Sequence, residues 1–254
     1  MATNTRLVTV GNELLAGEVV DTNSPYLAER AFAAGYPVSA IEVVPDVVET
    51  IAAAIGRAVA DSSASRIIVS GGVGPTHDDV TLEGVALGLQ QPLELNPEVY
   101  ARIEAGTQRM HDAGRLPSPE VSPAHRRMAM AAHGAVALDN PRGMASPFAH
   151  SVGEERWLFV LPGVPREFRT IVDDILMPQF FSDGEPMHSD TLEFQNIPES
   201  TLAPALQQVA QEFPDVAIGS YPHVETRELT IRARGHDPAR IHAALERVNQ
   251  LRPQ

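Results

Sequence analysis

The sequence predicts an α/β protein: a parallel or mostly parallel sheet with helices on both faces, followed by a small α+β domain. Three observations lead there. Strand and helix signals alternate through the first ninety residues. The stretches between those strands are long enough for helices, so the connections are right-handed crossovers and the pairing is parallel. Beyond residue 188 the order changes to strand, helix, two strands and helix.

Taken in order, Arg6–Val10 is a short β-branched run ending at Gly11. Ser24-Pro25 supplies an N-cap and an N1 proline for a helix that stops at Gly35. Val38–Val44 is a second strand, broken at Pro45, and Asp46 with Glu49 forms a capping-box pattern for a helix to Asp61. Arg66–Ser70 is a third strand, followed by Gly71-Gly72-Val73-Gly74-Pro75 and a helix over Val80–Gln90. Asn96-Pro97 and Ser122-Pro123 start two further helices, with the Pro-rich stretch Arg115–Pro123 between them. Ala135–Leu138, Phe148–Val152 and Trp157–Leu161 read as strands, with Asn140–Gly143 as a turn. Pro165 opens a helix that ends near Met177-Pro178. Ser182, Asp183, Gly184 and Pro186 give Phe181–His188 the chemistry of a linker. The expected domains are therefore 1–180 and 188–254. The second comprises strand 190–195, helix 200–212, strands 216–221 and 228–234, and helix 237–251.

Composition removes whole classes of function. The 254 residues contain no cysteine, which excludes disulfides, Cys-ligated zinc, iron–sulfur clusters and a thiol nucleophile. There is no lysine either, so all 19 basic residues are arginine, and P-loop or Schiff-base lysine chemistry is impossible. With 33 acidic residues the net charge is −14, a poor match to nucleic acid or an anionic membrane. No apolar run approaches a membrane span, and Arg6 precedes too short an apolar stretch for a signal peptide. The chain reads as soluble and cytoplasmic.

The polar motifs fall at strand ends. Gly11-Asn12-Glu13 follows the first strand, Asp46 the second and Gly71–Asp79 the third. Open parallel sheets bind ligands outside the carboxyl ends of their strands, so these three segments are expected to share one rim. Gly71, Gly72 and Gly74 can cradle phosphate through backbone N–H groups. Asp78 and Asp79 would repel that phosphate unless a hard divalent cation lay between them. Each acid has a plainer role open to it: Asp46 in its capping box, Asp78 or Asp79 as a helix cap, Glu13 as a solvated loop acid. His77 reads as a metal ligand or a surface residue, and Arg142 and Arg166 as phosphate ligands or surface charge. Ser70 lacks the GxSxG context of a serine hydrolase.

Val10–Gly17, Asp21-Thr22-Asn23 and Ser70–Thr81 (SGGVGPTHDDVT) together resemble the molybdopterin-binding fold. That fold occurs in molybdopterin adenylyltransferases, in the N-terminal domain of competence/damage-inducible protein A (CinA), and beside the FAD synthase domain of some eukaryotes. Asn140–Phe148 and Leu161–Phe168 (LPGVPREF) resemble the CinA branch, and the βαββα tail resembles CinA's following small domain. The resemblance implies that Asp46 and Asp79 are the functional aspartates, Asp79 through its Asp-Val-Thr motif. Adenylyltransferase members often carry a basic residue where this chain has Asp78, which points to the branch resembling metal-dependent pyrophosphatases of ADP-ribose or FAD. His77 stands where CinA members frequently have lysine, as it does in the FAD synthase-associated domains. CinA proteins often continue into a nicotinamide-mononucleotide deamidase domain, which is not expected in a sequence ending at Gln254.

The expectation is thus a cation-dependent hydrolase of a nucleotide pyrophosphate, using Mg2+, Mn2+ or Co2+. Asp46 and Asp79 would act at the reacting group, and Glu13, Asp78 and Asp79 would hold the cation. Asn23, Gly71, Gly72, Gly74, Thr76, Thr81, Asn140 and Gly143 would bind substrate. Adenylyl transfer to molybdopterin and a non-catalytic pterin- or nucleotide-binding module are the alternatives. The expected partner is a small nucleotide or pterin, and family members are commonly dimers or trimers, which implies a homo-oligomer.

Overall fold

Leu7 and Val8 are neighbours that point to opposite faces of one strand, and both are buried. Strand β1 (Asn4–Val10) therefore lies in a sheet covered on both sides. The computed structural model describes residues 4–252 and divides after Gly184 into two units.

In the first unit β1 leads through a single helical turn, α1 (Asn12–Leu15), to α2 (Asn23–Ala33), β2 (Val38–Val44), α3 (Val48–Ala60) and β3 (Ala64–Ser70). Then come α4 (Thr81–Gly88), β4 (Leu93–Leu95), α5 (Pro97–Asp112), α6 (Pro123–Arg127) and β5 (Met130–Ala132). The unit closes with β6 (Val136–Ala137), β7 (Phe148–Gly153), β8 (Arg156–Leu161), α7 (Pro165–Ile171), a π turn (Val172–Leu176) and α8 (Met177–Phe180). The main sheet has the order β2-β1-β3-β8-β7-β6, and only β7 runs against the others. Leu7 stands opposite Ile41 on one side and Ile68 on the other, and Ile68 in turn stands opposite Phe159.

Two cores follow from that alternation. On one face Ile51, Ile55, Val85 and Ile103 from α3, α4 and α5 pack on Val8, Ile67 and Val69. On the other, Leu27 and Phe168 from α2 and α7 pack with Leu176 of the π turn on Leu7, Ile68 and Phe159. Each such fully buried side chain contributes about 1.5–3 kcal/mol. Arg66 is buried at the edge of this second core. Its Nε donates to the carbonyl of Phe180 at 2.6 Å and its Nη1 to that of Glu155 at 2.8 Å, so the guanidinium is hydrogen-bonded where it is dry.

Several local expectations change. The helix expected at Ser24 begins at Asn23, because Asp21 Oδ1 takes the N–H groups of Asn23 and Ser24 at 2.9 and 3.0 Å. Ser24 instead lies buried with its hydroxyl 3.1 Å from that of Thr9. The helix from Pro165 does not stop at Met177-Pro178. It widens into the π turn and resumes, with Pro178 in the first turn of α8, directly after the widened turn. The strand expected over Ala135–Leu138 shortens to Val136–Ala137.

The second unit contains β9 (His188–Gln195), α9 (Glu199–Glu212), β10 (Ala217–His223), β11 (Glu228–Gly235) and α10 (Pro238–Leu251). Its antiparallel sheet has the order β10-β11-β9. Phe194, Leu202, Val209, Ile231 and Leu245 fill its own core.

Candidate functional site

The carboxyl ends of β1, β2, β3 and β8 lie side by side, so the loops that leave them share one rim. They surround a cavity of about 580 Å³, within the range of small-molecule sites. Leu14, Val19, Val20 and Val164 give it apolar wall, and five glycines and six carboxylates are among the rest of the lining.

The glycine loop after β3 is held open by backbone that side chains would not tolerate. Gly71 has φ +103°, and a Cβ there would collide with the carbonyl of Val10. Gly72 has φ +61°, and its Cβ would strike Thr81 Oγ1 and come within 3.3 Å of Asp46 Oδ1. Positive φ is a glycine conformation, and here it brings the loop against both β1 and the acid that follows β2. The Gly71 amide donates to the Leu161 carbonyl at 3.1 Å, and the Thr81 amide to the Gly72 carbonyl at 3.0 Å. The far side of the loop is held by Arg127 of α6, whose Nη2 donates to the carbonyls of Pro75 and Thr76.

Neither Asp46 nor Asp79 caps the helix that follows it. The residue before α3 is Val47, which offers no side-chain acceptor; Asp46 turns instead into the cavity, where its Oδ2 accepts from the Asn12 amide at 2.8 Å. The capping-box reading of Asp46 with Glu49 is therefore corrected. Likewise Val80 precedes α4 without a side-chain cap, and Asp79 Oδ2 accepts from the Thr76 amide at 2.7 Å and from the Thr76 hydroxyl. Burial pushes the Asp46 carboxyl above its ordinary value, and Glu13, Asp78 and Asp79 push it the same way, against the Asn12 amide.

Glu13, Asn23, Asp46, Gly71, Gly72, Gly74, Thr76, Asp78 and Asp79 all line this one cavity. Thr81 lies fully buried behind Gly72. Asn140 and Gly143 line a neighbouring cavity instead. His77 is an exposed side chain outside both linings, and Arg166 is also exposed; Arg142 faces the second cavity. Asn23 Nδ2 donates to the Gly163 carbonyl at 2.8 Å, while its Oδ1, together with Ser70 Oγ and Thr81 Oγ1, is buried without a hydrogen-bond partner. Three such atoms around one rim are polar capacity that a ligand or water can satisfy.

Sequence reasoning missed Asp21, His125, Met144 and Glu167 of the lining. Glu167 had a local signal, lying just inside a Pro-started helix at a strand's carboxyl end. Among the described residues, no three Asp, Glu or His side chains are gathered closely enough to hold a metal ion by themselves. The donor set suits a cation that keeps waters and takes phosphate oxygens, as Mg2+ does, better than one needing an all-protein cage.

Residues 6–181 match the family described as "Probable molybdopterin binding domain", which takes in every strand and loop of this rim. The chain belongs to that family. Residues 186–254 match the family described as "FAD synthase, middle domain". A CinA-like protein of Citrifermentans bemidjiense is 33% identical over 245 residues, covering 96% of this chain and 57% of that one. A protein of Pyrococcus abyssi is 36% identical over 241 residues, 94% of this chain and 93% of its own. The crystal structure of CinA from Thermoplasma acidophilum, titled as of unknown function, superposes with a TM-score of 0.62 at 30% identity. It covers 71% of this chain and 98% of its own. Within the molybdopterin-binding family this is a CinA-like member, and the rim lies inside the matched range. No helix among the described residues is long and apolar enough to cross a membrane.

Proposed function

We propose that this CinA-like chain hydrolyses the pyrophosphate bond of a nucleotide such as ADP-ribose or FAD, with a divalent cation. The observation that carries the reading is the convergence of Glu13, Asp46, Asp78 and Asp79, from three separate strand ends, on the cavity that holds the glycine loop. Four carboxylates around a phosphate cradle make chemical sense with a cation between them. Glu13, Asp78 and Asp79 would hold it, and when bound it would neutralise charge on the phosphate oxygens. The amides of Gly72 and Gly74 would orient the diphosphate, with Asn23 and Thr76 around it; the Gly71 amide is already bonded to the Leu161 carbonyl, and Thr81 would act from behind Gly72. Asp46, whose proton affinity is raised, would take a proton from water as its oxygen attacks phosphorus and the bridging P–O bond breaks. The apolar wall of Leu14, Val19, Val20 and Val164 suits a flat ring at the other end of the substrate.

The family description supports a pterin in the cavity, and in a second reading adenylyl transfer to that pterin would replace hydrolysis. One experiment separates them. Incubation with a panel of nucleotide pyrophosphates and Mg2+, Mn2+ or Co2+, read by product mass, gives two monophosphates under hydrolysis. Transfer gives an adenylylated pterin and pyrophosphate from ATP. Cation-dependent binding without turnover would leave a binding module.

A further inference from the structure

The neighbouring cavity, of about 560 Å³, shares Met144 with the first and has the opposite charge. Arg102, Arg109, Arg115 and Arg142 line it, against one acid, Asp139. The first cavity is lined by six carboxylates and no arginine. In a chain of net charge −14, four arginines on one concave surface are a local reversal of sign.

They are assembled from three places. Arg102 and Arg109 lie seven residues apart on α5, hence on one face; Arg115 follows the helix, and Arg142 stands in the turn before β7. Arg102 is anchored, its Nη1 donating to the Leu138 carbonyl at 2.7 Å and its Nη2 to Glu98 at 2.6 Å. Asn140 fixes the turn, its Oδ1 accepting from the amides of Arg142 and Gly143, each at 3.0 Å. Among the described residues, no carboxylate forms an ion pair with Arg109, Arg115 or Arg142, while Arg102 is paired. Gly106 keeps the floor open: a Cβ there would lie 3.3 Å from Met144 Cε and 3.9 Å from Arg109 Nη2.

We propose that this cavity is a phosphate-binding site, distinct from the acidic cavity, that takes a phosphate or diphosphate group through arginine forks without a divalent cation. A guanidinium presents parallel N–H donors that match phosphate oxygens in pairs, and it remains charged at any working pH. Asp139 and the anchored Arg102 leave three uncommitted forks for the ligand's oxygens.

The test is calorimetric titration of the whole chain with inorganic pyrophosphate in EDTA. Binding is expected, weakening as salt rises, because the contacts are charge on charge. Arg109→Gln and Arg142→Gln should each weaken it about tenfold, the scale of one charge-assisted hydrogen-bond pair. Asp79→Asn, in the other cavity, should leave it unchanged. The absence of binding in EDTA overturns the proposal, as does full-strength binding to a folded Arg109→Gln/Arg142→Gln double variant. Tighter binding in Asp79→Asn also overturns it, because in EDTA the Asp79 carboxylate can only repel an anion held in the acidic cavity. Failure of cation-dependent hydrolysis would leave this result standing, so the two readings fail separately.

Discussion

The backbone amide of Asn12 donates to Asp46 Oδ2 at 2.8 Å, joining the loop after β1 to the turn after β2. The bond crosses 34 positions of sequence and aims the carboxylate at the glycine loop instead of at the start of α3. A local helix cap has thereby been exchanged for a place on the rim.

Asp79→Asn separates charge from shape. Asp79 Oδ2 accepts from the Thr76 amide at 2.7 Å, and an asparagine oxygen can keep that bond. Stability should change by about 1 kcal/mol or less. Turnover should fall about 100-fold or more, with a raised requirement for metal, the cost of removing one strong electrostatic element. Rate against metal concentration, with thermal unfolding as control, decides it; unchanged turnover would return Asp79 to closing its own loop.

Gly72→Ala tests the loop's geometry. Alanine at φ +61° is strained, and its methyl would press on Thr81 Oγ1. Destabilisation of about 1–3 kcal/mol is expected in urea unfolding. A variant as stable as the parent would show that the loop relaxes easily to another path.

Arg127 is a positioning residue. It holds the carbonyls of Pro75 and Thr76, separated from Asp78 and Asp79 only by His77. Arg127→Ala should reduce kcat about tenfold, the effect of a small misplacement of the reacting groups, while KM for the nucleotide changes little. Partial recovery in Arg127→Lys would distinguish this from general unfolding. A parental kcat in the alanine variant would remove Arg127 from the account.

His150 sets an acid limit on the fold. Burial lowers its pKa from 6.5 to about 4. The unfolded chain therefore binds a proton below pH 6.5 that the folded chain refuses until pH 4. Stability is full above pH 6.5 and falls progressively towards pH 4, by about 3 kcal/mol over that window. Unfolding free energies from pH 7 to 4 should show the slope, and His150→Phe should flatten it. An equal slope in the variant would assign the acid sensitivity elsewhere.

The crossovers and the shared rim could be read in advance because they depend on periodicity and on where strands end. Val38–Val44 is an example, its bounds set by Pro37 and Pro45. What escaped was decided by tertiary competition. Asp46 and Glu49 have the spacing of a capping box, yet the Asn12 amide, supplied by another loop, captures Asp46. Strands β4 and β5 pair over three residues each, too few for alternation to register. The arginine cavity had only a partial local signal: Arg142, beside a Gly- and Pro-bearing turn, reads as a phosphate ligand or surface charge, while Arg109 on a helix looks like ordinary surface charge. Only the packing of α5 beside the 140–143 turn sets them on one concavity.

β2 is an outer strand of the main sheet, paired on one side only, to β1. Outer strands detach at less cost than central ones, so this is where the sheet opens first in local fluctuations. Asp46 sits two residues beyond the end of β2, and Gly72 lies beyond central β3. A ligand gripped by both therefore fastens the free margin of the sheet to its middle. Amide hydrogen exchange along Val38–Val44 should slow when the cavity fills, and a protease should find the edge harder to enter. A filled cavity would then act as a clasp on the sheet's margin, and resistance to proteolysis would rise with ligand concentration.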